Sequence, residues 1–127
     1  MDPFVTVHVI AAVALLASSA LVGVWGLART AQVTTPERPR EGRAFAQVLQ
    51  LSHTLVLGAG IVGLLLLAEG HDVADQLHVR VYGPCMLVAI VASYGYRTKD
   101  PRVNVRVFSI ASLVVFALGL RAFWTGA

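Results

Sequence analysis

"PFVTVHVIAAVALLASSALVGVWGLA", residues 3–28, runs for 26 residues without a charged side chain. Roughly 20 apolar residues, each rising about 1.5 Å, cross the hydrocarbon of a bilayer, so this stretch is long enough to span. A second uncharged run extends over 25 residues, from Ala44 to Ala68. Two shorter apolar runs, Val81–Tyr96 and Val107–Leu120, are bounded by charge. They reach spanning length once Arg80, Arg106 and Arg121 sit at the interfaces with their stems extended toward water. The pattern describes an all-α integral membrane protein, one domain with transmembrane helices over 4–28, 44–68, 76–97 and 103–124.

Composition narrows the class further. At 57% hydrophobic and 13% charged residues, the chain is too apolar for a soluble domain of this length. The formal charge of +3 comes from basic residues in loops and at helix ends, which argues against a nucleic-acid partner. The single cysteine, Cys85, excludes an internal disulfide. Asp2 and the length of the first apolar run disfavour a cleaved signal peptide. No CxxC, HExxH, P-loop or dinucleotide fingerprint occurs, so the familiar motifs of soluble enzymes are absent.

Charge also orients the chain. Arg29, Arg38, Arg40 and Arg43 flank the first loop, and Arg97, Lys99, Arg102 and Arg106 flank the third. The other side carries only Arg80 and Arg121, beside Asp2, Glu69, Asp72 and Asp75. Eight basic residues against two place both termini outside by the positive-inside rule. The first loop, 29–43, is rich in Pro, Thr and charge and reads as a solvated cytoplasmic connector. The other loops, "EGHDVADQ" and "RTKDPRVN", are short, so successive helices pack antiparallel as an up-down four-helix bundle. An internal echo pairs "VHV…WGLART" with "LHV…YGYRT" and "RAFA" with "RVFS", as two parallel-repeated hairpins would.

Helical phase then groups the polar residues. At about 100° per residue, His8, Ala12, Leu15, Ser19 and Gly26 share one face of the first helix. His78, Tyr82, Cys85, Ala89 and Tyr96 share one face of the third. Both faces begin with a histidine near the outer interface and continue through mostly small residues, which admit a close helix neighbour or a flat cofactor. Two imidazoles facing each other across a bundle are a standard means of holding a b-type heme, and His8 and His78 are the candidate ligands. Arg80 and Arg121, on the same outer side, are candidates for heme propionates, or else plain anchors at the headgroups. In the second helix His53 lies near mid-bilayer, where an imidazole needs an interhelical partner. With Gln50 and Thr54 it marks a candidate buried polar site, structural, or concerned with proton or quinone traffic, or supplying a metal ligand. His71, with Glu69, Asp72 and Asp75, reads as solvated loop charge before it reads as a divalent-metal site.

This arrangement resembles heme A synthase, whose family consists of two similar four-helix membrane halves. "FVTVHVIAAVALLASSALVGVWGLAR", "QLSHTLVLGAGIVGLLLL" and "QLHVRVYGPCMLVAIVASYGY" look like the first three helices of one half. The resemblance implies a heme held by His8 and His78. It covers most of the chain but departs at telling places. Val5 stands where the family has the glutamate associated with its oxidative chemistry, Val9 where it has an arginine, and only one half is present. Heme binding is thus the expectation, and methyl-group oxidation is not.

Three functions follow from these residues. The first is a small b-type heme-binding membrane protein serving electron transfer, heme handling or assembly of a respiratory complex. The second is a cofactor-free accessory or scaffold subunit, with the basic inner loops touching anionic lipid or a partner. The third is a transporter or channel working as a homo-oligomer, disfavoured because no acidic residue lies within a span.

Overall fold

The computed structural model describes residues 3–71 and 78–126, the side chains of residues 78, 79, 125 and 126 excepted. Its elements are α1 (Pro3–Ala28), α2 (Thr30–Val33), α3 (Pro39–Ala68), a π-helical turn (His78–Tyr82), α4 (Gly83–Gly95) and α5 (Pro101–Gly126). No strand occurs among the described residues. Three helices, Pro3–Ala28, Pro39–Ala68 and Pro101–Trp124, are long and apolar enough to cross a membrane. The expected span over 76–97 is not among them, since its described part divides into the π turn and the 13-residue α4.

The helix boundaries have local causes. α3 begins at Pro39, five residues before the uncharged run, because Pro is preorganised for the first helical position, where its missing N–H is not needed. Glu41 follows in the first turn, where the helix dipole favours negative charge. Its carboxylate accepts from Arg29 Nε at 2.5 Å, Arg29 Nη2 at 3.0 Å and Trp25 Nε1 at 2.9 Å. The Arg29 hydrogen bonds first, and that of Trp25 second, hold its pKa down at about 2. At the other end Glu69, Gly70 and His71 close α3 with a Schellman motif: His71 N donates to Leu66 O and Gly70 N to Leu67 O, both at 3.0 Å. Gly70 supplies the required positive φ of 87°. α5 starts on an aspartate cap, with Arg102 N donating to Asp100 Oδ1 at 2.9 Å.

The connector over 29–43 is more ordered than its composition foretells. Thr30 and Val33 are buried, and Val33 packs with Val22, Phe45, Leu49 and Phe108 in an apolar cluster. Gly42 permits this docking, since a Cβ there would stand 2.5 Å from the Val33 carbonyl oxygen.

Named contacts fix how the helices run. Gly26 of α1 meets Ser109 of α5, while Leu15 and Leu16 meet Gly119, so α1 and α5 are antiparallel. Trp25 stacks edge-on to Phe45, ring centroids 5.5 Å apart, while His8 meets Gly63, so α1 and α3 are antiparallel too. α4 lies against α5, with Met86 beside Gly119 and Tyr94 on Phe108 at 5.0 Å. α1 and α4 nowhere approach within 8 Å at Cα among the described residues.

Polarity is distributed as an apolar solvent would demand. Ser19, Ser52, Ser93, Ser109 and Ser112 are buried, whereas Ile10, Val24, Leu64, Val88 and Val91 are more than half exposed. Several of the hydroxyls bond back to their own helix: Ser19 to Leu15 O, Ser93 to Ile90 O at 2.6 Å and Ser109 to Val105 O at 2.6 Å. Small side chains of this kind let helices pack closely where no hydrophobic force drives them together.

Candidate functional site

At the end of the molecule where α1 begins and α3 and α5 finish, the helices part around a cavity of about 520 Å³. That volume falls within the roughly 300–1,000 Å³ of small-molecule sites. α1, α3, α4 and α5 all contribute to its wall, which is almost wholly aliphatic and glycine. The polar exceptions are two imidazoles, His8 and His71, together with the polarisable thioether of Met86.

His8 reaches the cavity because Gly63 makes room for it. A Cβ on Gly63 would stand 3.2 Å from His8 Cε1, so that the ring would have to give by a few tenths of an ångström. The imidazole therefore lies against the α3 backbone, with Nδ1 sealed from solvent. Ala12 and Leu15 continue the same wall, and Ser19 and Gly26 are buried further along α1. The inward face expected for α1 is the observed one.

His71 lies just past the end of α3, its side chain 39% exposed as a solvated loop residue's would be, and it borders the cavity as well. The Schellman closure explains this, because the positive φ of Gly70 turns the chain back over the last turn of α3. The signal is present in the sequence as Gly70 directly after the apolar run. Glu69 Oε2 stands 4.0 Å from His71 Nε2, while Asp72 and Asp75 lie outside the described residues. Among the described residues no three His, Cys, Asp or Glu side chains gather as a metal cluster would require.

The π turn accounts for one departure from the expected faces. Pro84 offers no N–H and its ring crowds the carbonyl four residues back, so the ladder widens through His78–Tyr82 before α4 begins. The widened turn shifts the faces beyond it by about one position. Cys85 and Tyr96, expected on the inward face, are exposed; Ile90 and Ser93 are buried instead, and Met86 lines the cavity. Gly83 and Pro84 line the cavity as well, so the turn that carries His78 adjoins it. The His78 side chain lies outside the described residues. Arg80 and Arg121 are exposed at this end, and Arg121 Nε donates to Tyr82 Oη at 3.5 Å.

The second candidate cluster does not form as expected. His53 Nδ1 pairs with the Tyr94 hydroxyl at 3.0 Å, edge-on to its ring and 6.2 Å from that of Phe108. Gln50 and Thr54 face outward, and the Thr54 hydroxyl donates to Gln50 O at 2.8 Å. The polar partner of His53 is thus a tyrosine on α4, and His53, Gln50 and Thr54 are not one buried site.

Neither a family model nor a curated protein nor a solved structure matches the chain.

Proposed function

We propose that this chain is a small integral membrane protein that binds a b-type heme in the cavity beside His8. The proposal includes an up-down four-helix bundle in which the π turn and α4 complete a third crossing, with both termini outside. It serves electron transfer, heme handling or assembly of a respiratory complex, as one half-bundle of the heme A synthase kind without that family's glutamate.

One observation supports it above the others: an imidazole braced on the wall of an apolar cavity of suitable volume, at the end where the π turn begins. π turns in helices recur at functional sites. Here the added residue carries position 78 toward the helical phase of Met86 and Ile90 rather than of Cys85 and Ala89. His8 and His78 are the residues that would hold the group, with His71 the competitor for the second place because it lines the cavity. Arg80 and Arg121 supply guanidinium groups for the propionates. The heme, when bound, supplies a one-electron couple; the aliphatic wall excludes water from it, and the ligand nitrogens set its spin state and potential.

An absorption spectrum of detergent-purified protein, oxidised and then reduced with dithionite, tests this directly. The expected result is a low-spin bis-histidine spectrum, lost in His8→Ala and His78→Ala and retained in His71→Ala. Loss in His71→Ala with retention in His78→Ala reassigns the second ligand. A colourless protein that takes up no added heme, or full retention in His8→Ala, overturns the proposal. The scaffold function is then preferred, and the outward-facing glutamines of α3 are the observation that favours it.

A further inference from the structure

α3 carries a polar stripe on the wrong side for a helix in lipid. Gln47, Gln50 and Thr54 are exposed, and neither glutamine amide has a hydrogen-bond partner among the described residues. Gln50 lies seven residues beyond Arg43, about 10 Å along the helix at 1.5 Å per residue, already within hydrocarbon in the proposed orientation. An amide left without a partner there is unfavourable by several kcal/mol. The same face continues through Leu57, Ile61 and Leu64, which are 55%, 60% and 65% exposed, to Ala68. Positions 47, 50, 54, 57, 61, 64 and 68 alternate by three and four. That is the a/d spacing of a coiled-coil seam, unbroken over three heptads, and its apolar members Leu57, Ile61 and Leu64 also border the cavity.

We infer that this seam is a homodimer interface, in which α3 pairs with α3 of a second copy about a two-fold axis along the membrane normal. The inference rests on the membrane-spanning part of the proposed function and not on heme. Two copies inserted in one membrane share an orientation, so their α3 helices pair in parallel and each layer meets its own counterpart. A carboxamide suits that symmetry, because it carries donors and an acceptor and complements a copy of itself. Gln50 facing Gln50 satisfies both amides. Polar seam residues of this kind fix register in parallel pairs, and interhelical amide bonds hold membrane helices together. Leu57, Ile61 and Leu64 supply the apolar layers beyond. Arg43, the next seam position toward the inner surface, falls at headgroup level, where its long stem swings aside to anionic lipid.

The test is disulfide scanning of the full chain in native membranes, after C85S removes the only native thiol. Oxidation links Leu57→Cys and Ile61→Cys into dimers several-fold more efficiently than Leu51→Cys on the flank of α3 or Val91→Cys on α4. Gln50→Leu, an exposed substitution that leaves the fold alone, weakens dimerisation in bilayers about three- to tenfold. Monomeric protein, linkage without the three-four period, or linkage only to a different protein overturns the inference. Alkaline-carbonate extraction separates the two levels. Protein released from the membrane removes the membrane premise and the seam with it; protein retained but unlinked removes the seam alone.

Discussion

Gly26→Ala tests whether α1 and α5 are packed as closely as the structure has them. An added Cβ at Gly26 would overlap Ser109 Oγ and stand 3.0 Å from both Ser109 Cβ and Phe45 Cε2. Carbon atoms pack best at about 3.5–4.0 Å, so every one of these contacts is too short. Rotating Ser109 relieves only the first, and forfeits its hydrogen bond to Val105 O. Phe45 cannot withdraw either, being 4% exposed and held edge-on against Trp25. The helices must therefore move apart. Overpacking of this kind costs about 1–3 kcal/mol, and a lost hydrogen bond adds about 1 kcal/mol. Alanine's better helix propensity returns about 1 kcal/mol, leaving a net loss of roughly 1–3 kcal/mol. Reversible unfolding in mixed micelles reads this as a fall of about 5- to 150-fold in the folding constant. Ser109→Ala in the same chain removes the overlapping oxygen but not the Cβ contact, so it restores about half of the loss as a coupling near 1 kcal/mol. Gly58→Ala is the control, because a Cβ there meets nothing within 4 Å; it is neutral or stabilising by up to about 1 kcal/mol. Equal effects at the two glycines, or a Gly26→Ala protein as stable as the parent, would refute the close approach of α1 and α5.

Three further outcomes follow from particular contacts. Glu41 has its folded pKa lowered from 4.5 to about 2, so the stability it contributes is present above pH 4.5 and is lost as pH falls through about 2. Its contact with Trp25 makes indole emission the probe: an acid transition near pH 2 is expected, moving up toward 4.5 in Arg29→Ala, and an unchanged midpoint would sink the clamp. Tyr94→Phe removes the hydroxyl that pairs with His53 and destabilises by about 1 kcal/mol, within the range of interhelical polar bonds in membranes. His53→Leu and the double variant close the cycle, and a coupling of zero would mean that the pair contributes nothing. Gly63→Val places a branched side chain where the His8 ring lies, so it should abolish the proposed heme band as His8→Ala does while thermal stability in detergent falls by less than for Gly26→Ala. Full heme occupancy in Gly63→Val would show that His8 does not hold the group from this position.

What the sequence discloses and what it hides divide along physical lines. The three long helices are legible because lipid imposes one requirement, an uncharged length, and residues 3–28 and 44–68 meet it outright. The start of α3 is not, because hydropathy says nothing of a proline cap or of a carboxylate held by Arg29 and Trp25 across the connector. The inward face of α1 is legible because an uninterrupted α-helix keeps its phase from His8 to Gly26. The face of α4 is not, because a constant 100° rotation carried through Pro84 assigns Cys85 inward where the π turn brings Met86.

Two of the candidate histidines sit where the sequence pattern is least informative. His71 and His78 flank the segment at which α3 ends and the π turn begins, and at both places the backbone leaves α-geometry: at Gly70 with positive φ, at 78–82 with a widened ladder. Polarity alone makes His71 a loop residue and His78 a helix residue, since it records how a side chain is solvated and not where the chain turns. Those two irregular turns are also the ones that bring residues of this segment to the cavity, His71 through the first and Pro84 through the second. A regular helix end at Gly70 would have carried His71 outward, and a regular α4 would have turned Cys85 in where Met86 now lies. The proposed ligand site takes its specificity from those departures from α-geometry, and the spectra of His71→Ala and His78→Ala report which of the two the ligand uses.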